Sequence, residues 1–495
     1  MDPPLTSLNA SPLCNGGLLF LTLIVGVLGF LFLIITRFQL VMSKTKLPPG
    51  SYGWPVVGET MSIRSRNSKL SDFISKRRKR YHPEVFKTSL FGHKMIYMCG
   101  PAANKFLFSN ENKLILTWWP HSVQSIFPSA VNNSNTSGHQ RKLLASFLKP
   151  EALRSYVGML DAATQRHVKD EWGGRGEVKA AELIRKYAFV LACRLFSSVE
   201  DQQLVSKLAH ELHHLVRGVL QVPVRLPGTR YHRAMKAAEE IRKELRPIIE
   251  QRRKEAAAAA MAGSSVPKMQ DMVWYLMTTA DDKGRFMTEK EILDNMVLLL
   301  FAGHDTTTCA ITFLVKFLAH RPDVYEQVYK EQMEIAKSKG EGDHLNWEDI
   351  LKMKFSWNVA CESMRLQPPV GGGFREAISD FTYAGFTIPK GWKISWSPYT
   401  TSKSEEYFPE PQKFDPWRFE RDSPIPYTFI PFGGGPRMCP GKEFARLEIL
   451  VFLHNVVKRF KWEAIIPDEE IKLDMMPYLA QGLPLRLQPH PKADK

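Results

Sequence analysis

The segment Phe432–Gly441 has the sequence FGGGPRMCPG and is followed by a helical pattern over Lys442–Val456. Its glycines allow the backbone to approach a flat ligand closely, and Arg437 is able to pair with an acidic group on such a ligand. Cys439 lies just before the helix start, where the helix dipole and free backbone amides stabilise a thiolate. The pattern therefore indicates a cysteine that acts as a metal ligand or nucleophile, with a buried thiol beside a turn as the alternative.

The composition of the chain favours a large folded body. It has 495 residues, of which 44% are hydrophobic and 24% charged, and this balance argues against a disordered, collagenous or coiled-coil chain. Lys and Arg exceed Asp and Glu by 67 to 51, a net charge of +16, which favours an anionic membrane surface, nucleic acid or an acidic protein as partner. The six cysteines show no CxxC spacing, so a disulfide scaffold or a zinc cluster is not indicated.

An uncharged stretch near the amino end predicts a membrane anchor. Residues 3–36 carry no charged side chain, and Leu18–Ile35 is apolar apart from Thr22 and two glycines. At ~1.5 Å per residue, a helix over 16–36 spans about 31 Å, close to the ~30 Å thickness of a bilayer's hydrocarbon core. A cleaved signal peptide would have a shorter apolar centre and a basic start, whereas Asp2 stands here.

The residues that follow orient the anchor and separate it from the body. Basic side chains after the span place the rest of the chain on the cytoplasmic side; they are Arg37, Lys44 and Lys46. Leu47-Pro48-Pro49-Gly50 cannot continue a helix, because proline lacks a donor and restricts the residue before it. The sequence therefore predicts a lumenal end over 1–15, a transmembrane signal anchor over 16–36, a basic and proline-rich hinge over 37–50, and one large domain over 51–495.

The large domain is predicted to be mainly α with small β-sheets, since helical periodicity dominates from about residue 70 onward. Alternating runs mark strands at Val85–Leu90 and Met95–Cys99. Two more runs, Phe381–Ile388 and Trp392–Ser397, are separated by Pro389-Lys390-Gly391 as the arms of a hairpin would be. No repeat or domain break is visible, which favours a single domain built partly from distant segments.

One helix is more informative than the others. It begins near Thr288, which forms a capping-box pattern with Glu291, and it runs past Leu318. Ile292–Phe317 is apolar on nearly every face, as expected of a helix in the centre of a globular body.

Polar residues interrupt this helix at 302–307, where the sequence is AGHDTT. Polar groups in a buried helix are costly unless they have partners. Asp305 and Thr306, side by side, are able to relay protons, and Gly303 leaves room beside the backbone for a small ligand or water. The alternative is a kink in which the threonine side chains bond to carbonyls one turn back.

These motifs together resemble one known family. The cysteine segment is similar to the haem-binding loop of the cytochrome P450 superfamily at Phe432, Gly435, Arg437, Cys439 and Gly441. Three further motifs precede this segment in the chain, in the order typical of the family. Residues 302–307 resemble its oxygen-activation motif, 362–365 its ExxR pair, and 416–419 its PxRF segment. The resemblance covers nearly all of the chain beyond the anchor and implies the P450 fold, a single large haem-thiolate catalytic domain behind a transmembrane helix.

The resemblance also implies a role for each matched residue. Cys439 would be the axial ligand of haem iron, where a thiolate pushes electron density onto the iron and favours O–O cleavage. Asp305 and Thr306 would deliver protons to the bound oxygen. The haem propionates would be bound by Arg437, Arg375 and Arg141, the haem would also contact Phe432 and Gly433, and a buried network of Glu362, Arg365 and Arg418 would hold the cysteine loop. At Arg141 the chain departs from the family pattern, because Ser137 stands where an aromatic residue or histidine is usual.

The implied cofactors are haem b and O2, with NADPH used indirectly. No GxGxxG fingerprint occurs in the glycine loop or at Gly371–Gly373, so the electrons must come from another protein. By resemblance this is an NADPH-cytochrome P450 reductase in the endoplasmic reticulum membrane, and the basic excess suits an acidic partner. Residues 76–80, KRRKR, are a candidate docking patch or else a solvated helix face. Membrane lipid and an apolar terpenoid substrate are the other expected partners, and nucleic acid is not.

The substrate class follows from a narrower resemblance to plant oxidases of cyclic triterpenes. It is carried by the segments Asn104–Leu114, Lys149–Leu153, Trp357–Leu366, Phe374–Lys393 and Pro426–Glu463. The implied reaction inserts one oxygen atom into a C–H bond of a cyclic terpenoid such as β-amyrin at C-28, with further oxidation to the aldehyde and acid. Another triterpene position or a taxane-like diterpenoid is the alternative, because one methylene of misfit in a pocket is worth only ~1 to 3 kcal/mol.

Two other classes of function compete with this interpretation. His210-Glu211-Leu212-His213-His214 fits HExxH, in which two histidines one helical turn apart bind zinc and the glutamate activates water. A zinc protease using His210, Glu211 and His214 is the weaker hypothesis, since no third ligand stands at a metzincin-like spacing. A membrane-tethered binding protein without turnover is the other, and the Asp305-Thr306 pair argues against it.

Overall fold

The computed structural model describes residues 22–23, 25–27, 29–30, 46–54, 58–60, 62, 70–131, 134–261, 271–281, 283–340 and 342–491. The predicted lumenal end, and most of the predicted anchor and hinge, lie outside these residues. The end of the hinge is described, and the Pro49 carbonyl accepts a hydrogen bond of 2.9 Å from the backbone N–H of Lys87. The proline-rich turn is therefore joined to the folded body.

Helices form most of the described domain, as the periodicity predicted. In chain order they are α1 Leu70–Arg80, α2 Pro101–Ser109, α3 His121–Ile126, α4 Pro128–Val131, α5 Ser134–Phe147, α6 Pro150–Leu153, α7 Val157–His167, α8 Ala180–Ser197, α9 Gln202–Val216, α10 Arg230–Met261, α11 Met272–Thr278, α12 Glu289–His320, α13 Pro322–Lys337, α14 Trp347–Lys352, α15 Lys354–Leu366, α16 Arg418–Arg421 and α17 Lys442–Val457.

The strands are short and form small sheets. They are β1 Val85–Leu90, β2 His93–Met98, β3 Ile115–Thr117, β4 Glu177–Lys179, β5 Gly373–Ala377, β6 Phe381–Tyr383, β7 Phe386–Ile388, β8 Lys393–Trp396, β9 Phe460–Ala464, β10 Ile471–Leu473, β11 Pro477–Leu479 and β12 Pro484–Pro489. The largest sheet has the order β1-β2-β8-β5-β3. Its members come from both halves of the chain, which confirms the prediction of a sheet assembled from distant segments.

The predicted hairpin around Pro389-Lys390-Gly391 is wrong. The hairpin is β6 with β7, closed at Ala384 and Gly385, which both have positive φ. A two-residue turn with positive φ at both positions matches the twist of paired strands, so the chain reverses there. β8 instead lies inside the main sheet, parallel to β2 and antiparallel to β5.

The central helix, α12, begins where the sequence predicted. Thr288 accepts a hydrogen bond of 3.3 Å from the N–H of Glu291, and the Glu291 carboxylate accepts one of 2.8 Å from the N–H of Thr288. The helix runs through the polar segment 302–307 without interruption and packs against α8, α15 and α17. Among the described residues it is also the one helix long and apolar enough to cross a membrane, but 67% of its most apolar window is buried in the domain.

Candidate active site

The loop that carries Cys439 folds back onto α2. Its cysteine N–H donates to the Phe432 carbonyl at 2.9 Å, and a short 3₁₀ turn covers Gly435–Arg437. An added Cβ on Gly434 would lie 2.4 Å from the Phe108 ring, and one on Gly435 would lie 2.5 Å from the Phe108 carbonyl oxygen. Two of the three glycines are thus required by close packing within the protein, a reason that the sequence did not indicate.

Cys439 differs from the other cysteines that the structure describes. Cys99, Cys193, Cys309 and Cys361 are buried, whereas the Cys439 side chain is exposed. Enough protein nevertheless surrounds it that burial raises the pKa of its thiol, although the Gly441 amide and the Arg141 charge act to lower it. The Cys439 thiol is therefore reachable by a ligand although much of its surroundings is protein. The expected lowering of its pKa by the helix start is wrong for the protein alone.

Three arginines from distant segments converge beside this loop. Arg375 on β5 forms an ion pair with the buried carboxylate of Glu111, and Arg437 Nε lies 3.6 Å from the same carboxylate. Arg141 on α5 donates to the Pro436 carbonyl at 3.0 Å and to the Met438 carbonyl. Arg141 thus contacts the cysteine loop directly.

The charges of this arginine cluster, Arg141, Arg375 and Arg437 with Glu111, are not balanced. Burial lowers the pKa of Arg141, and the positive charges of Arg437 and Arg375 lower it further. Burial also lowers the pKa of Arg375, against the opposing effect of Glu111. Three guanidinium groups against one carboxylate leave two positive charges, and the two propionates of haem b would neutralise them. The residues present therefore fit a haem beside Cys439.

One face of α12 is accessible to solvent at the polar segment. Ala302 is exposed and Thr306 partly exposed, while Thr307–Val315 is buried. Residues four apart lie on the same helix face, so Ala302 and Thr306 together line the accessible side. The Thr306 hydroxyl donates to the Ala302 carbonyl at 2.7 Å, which is the bond one turn back that the sequence left as an alternative.

Gly303 and Asp305 point towards α8. An added Cβ on Gly303 would lie 3.2 Å from the Phe196 ring, so the glycine allows helix packing and does not leave room for a ligand as expected. Asp305 Oδ1 lies 3.9 Å from Arg185 Nε and 3.4 Å from His304 Nδ1. Asp305 and Thr306 are adjacent in sequence, yet their side chains have different partners.

The buried network predicted from the ExxR motif is assembled around Glu362. Its carboxylate accepts bonds of 2.7 and 2.8 Å from Arg365 and one of 3.0 Å from Arg418 Nε. Arg365 also donates to the carbonyls of Ser402 and Pro411, and Glu362 accepts from the N–H of Asp415 at 2.9 Å. Glu362 and Arg365 are 0% exposed. The network ties α15 to the segment that leads towards the cysteine loop.

Two other sequence motifs have less support. The rings of His210 and His214 lie 4.9 Å apart, but no group of three or more potential ligands that could hold a metal ion occurs within the described residues. In the basic run 76–80, Arg77 pairs with Glu59 and Arg78 donates to the Thr400 carbonyl at 2.9 Å. Two members of the candidate docking patch are therefore engaged within the fold.

Sequence reasoning missed three side chains at this site. Glu111 holds two of the arginines, Arg185 pairs with Asp305, and Glu448 accepts a hydrogen bond from Thr307. No local motif marks any of them, because each contact joins segments far apart in the chain.

Comparisons with known proteins agree with the site. The family model Cytochrome P450 matches residues 48–486. Beta-amyrin 28-monooxygenase of Vitis vinifera is 53% identical over 464 residues, which cover 93% of this chain and 96% of that protein. Beta-amyrin 6-beta-monooxygenase of Solanum lycopersicum is 49% identical over 451 residues, covering 90% of this chain and 93% of that protein. The structure of cyanobacterial CYP120A1 with bound retinoic acid is 32% identical, with a TM-score of 0.80, covering 90% of this chain and 100% of that chain.

The chain belongs to the cytochrome P450 family, since the family model spans most of its length. The predicted P450 fold is confirmed by the match to a solved member. The protein is a monooxygenase that depends on haem b, O2 and electrons from NADPH supplied through a reductase. The zinc-protease and binding-protein hypotheses are set aside by this membership.

Proposed function

We propose that this protein oxidises a pentacyclic triterpene, β-amyrin, at C-28, as a monooxygenase anchored in the endoplasmic reticulum membrane. The observation that carries the substrate is the 53% identity, over nearly the full length of both chains, to a protein named for that reaction. An apolar polycycle also suits an enzyme that takes its substrate from a membrane. The product series would begin with the C-28 alcohol.

Cys439 is proposed as the ligand of haem iron. Its accessible thiol and the net positive charge of the arginine cluster support this role. Arg141, Arg375 and Arg437 would hold the propionates, and Phe432 and Gly433 would lie against the ring. When bound, a thiolate-ligated haem supplies cleavage of the O–O bond.

Thr306 and Asp305 are proposed to manage protons at the oxygen site. Thr306 lies on the accessible face of α12, and its oxygen keeps a lone pair for a water molecule while its hydrogen is donated to Ala302. Asp305 is held beside Arg185 and His304, on the side of α12 that faces α8. There it is able to exchange a proton with solvent. Asp305 would then pass a proton through water to the O2 molecule beside Thr306.

The anchor, hinge and cytoplasmic orientation belong to the same proposal, with 16–36 as span, 37–50 as hinge and 51–495 as catalytic domain. The loop between α9 and α10 presents apolar side chains to solvent, with Val222 68% and Leu226 62% exposed and Val224 also exposed. Adjacent exposed apolar residues suit insertion into the interfacial region of a bilayer. NADPH-cytochrome P450 reductase in that membrane would be the electron donor, with the exposed Lys76, Lys79 and Arg80 as part of its docking surface.

A second ring position has specific support. The Solanum lycopersicum relative that is 49% identical is named for oxidation at the 6-beta position, so similar chains differ in the carbon they oxidise. The deciding experiment is co-expression with a reductase and a panel of triterpene and diterpene cyclases, with products identified by mass spectrometry and NMR. C-28 oxidation of β-amyrin is expected. Oxidation at C-6 alone would replace the position, and oxidation of diterpenes alone would refute the substrate class.

A further inference from the structure

A buried carboxyl, Glu448, lies between the central helix and the helix that follows the cysteine loop. Glu448 belongs to α17 and is 0% exposed. Thr307, the neighbour of Thr306 on α12, donates its hydroxyl to Glu448 Oε2 at 3.0 Å. The contact joins the helix after Cys439 to the turn that lines the accessible face.

The surroundings of Glu448 favour the neutral acid over the carboxylate. Burial raises the pKa of its carboxyl well above the usual range, and the hydrogen bond from Thr307 opposes this only in part. An unpaired carboxylate is costly in a dry interior, so burial acts in favour of the protonated group. Its other oxygen, Oε1, has no hydrogen-bond partner among the described residues.

The surroundings of Glu448 keep it in place. Tyr187 on α8 donates to the Glu448 carbonyl at 2.9 Å, and Thr164 on α7 lies 3.4 Å from the Tyr187 hydroxyl. Phe196, which packs under Gly303, also contacts the Phe444 ring of α17 at 5.6 Å between centroids. These contacts from α7 and α8 hold the turn of α17 that carries Glu448, and the Thr307 hydroxyl joins the carboxyl of that residue to α12.

We propose that Glu448 is a positioning residue whose hydrogen bond with Thr307 fixes the turn of α12 that carries Ala302 and Thr306. Adjacent helical residues are rotated by about 100°, so anchoring Thr307 to α17 sets the direction of Thr306. A shift of ~1 Å at a reacting group is able to cost ~10²-fold in rate. The inference rests on the proposed roles of Cys439 and Thr306.

The experiment compares the full-length variants Thr307→Val, Glu448→Ala and Glu448→Gln with wild type in membranes containing reductase and β-amyrin. Thr308→Val is the matched control, because Thr308 is an equally buried threonine whose hydroxyl bonds within its own helix, to the His304 carbonyl at 2.9 Å. The readouts are the carbon monoxide spectrum, the thermal unfolding midpoint, and the product and hydrogen peroxide formed per NADPH consumed.

Thr307→Val and Glu448→Ala are expected to load haem but to lose coupling several-fold, with peroxide rising as product falls. Glu448→Gln is expected to keep the coupling of wild type. The amide oxygen of glutamine still accepts the hydrogen bond from Thr307, and the amide is neutral at every pH. Thr308→Val is expected to match wild type. The proposal would be overturned if Glu448→Gln lost as much coupling as Glu448→Ala. It would also be overturned if Thr307→Val, which leaves the Glu448 carboxyl in place, kept the coupling of wild type.

A second readout does not depend on turnover. In thermal unfolding of the purified full-length protein, the decreases in unfolding midpoint caused by Thr307→Val and Glu448→Ala are expected to be less than additive in the double variant, because both substitutions remove the same hydrogen bond. Full additivity would contradict the contact. A wild-type protein without the spectrum of thiolate-ligated haem would instead refute the proposed function. The thermal result would still show whether Thr307 and Glu448 are joined by a hydrogen bond.

Discussion

Cys439 is a weak acid in the protein chain alone, although it precedes a helix. Burial raises the pKa of the thiol more than the Gly441 amide and Arg141 lower it. A coordinated metal ion, in contrast, deprotonates a thiol outright. If Cys439 has the proposed ligand role, binding of haem iron, and not the helix start, would generate the thiolate.

This state of Cys439 is measurable by alkylation of the haem-free protein. In a Cys14→Ser background, iodoacetamide is expected to label Cys439 slowly at pH 7 and faster as the pH rises. The sign follows from the raised pKa, which leaves little thiolate until the pH approaches it. Mass spectrometry gives the rate, haem loading should block it, and fast labelling that does not change from pH 7 to pH 9 would contradict the prediction.

The ligand role of Cys439 has a separate test. Cys439→Ser is expected to abolish the carbon monoxide spectrum typical of thiolate-ligated haem, because a hydroxyl does not replace the sulfur donor. Cys14→Ser, which lies outside the described residues, is the control and should keep the spectrum. A Cys439→Ser protein that retains it would show that another side chain binds the iron.

At the scale of the elements, α15 is joined to the segment before the cysteine loop through one carboxylate. Glu362 pairs with Arg365 and Arg418, and Arg365 also binds the carbonyl of Lys413 at 3.2 Å. Because the acid and Arg365 are fully buried, water cannot replace a missing partner. The network is therefore expected to contribute to stability and to hold the loop.

Replacing the acid tests this connection. Glu362→Gln leaves two guanidinium groups without their counter-charge and is expected to cost roughly 3 to 5 kcal/mol in the free energy of unfolding, with loss of haem. Glu410→Gln in the same segment is the control, since its pair with Lys413 is on the surface and such changes usually stay within about 0.5 kcal/mol. Denaturant unfolding provides the comparison, and equal losses in the two variants would contradict the role of the network.

At the scale of the whole molecule, the arginine cluster exists only because β5, α5 and the cysteine loop meet. Arg375 and Arg437 share Glu111, while Arg141 binds the loop carbonyls. In the proposed role of the cluster, the two haem propionates would neutralise this excess positive charge. The same assembly buries α12, so that an apolar helix suited by length to a membrane becomes the core of a globular domain.

Membrane attachment is the prediction that belongs to this scale. Deletion of 1–36 is expected to release much of the protein into a high-salt wash while the carbon monoxide spectrum remains, because the cysteine loop and the arginine cluster lie in the catalytic domain beyond the deleted residues. Val222→Asp with Leu226→Asp in the truncated protein should release the remainder. Fractionation of membranes measures both. A truncated protein that stays fully bound, with or without the loop changes, would contradict the anchor.

The sequence by itself determined the helical class, the start of α12 and the identity of the cysteine motif, because periodicity, capping and glycine spacing act between neighbouring residues. It could not determine the partner of β8, the Phe108 contact that requires Gly434 and Gly435, or the raised pKa of Cys439. Those features, like the placement of Glu111 and Glu448, depend on packing and burial between segments that are not neighbours in the chain. Only the tertiary structure decides them, because a buried charge or close contact has no local signal in the chain.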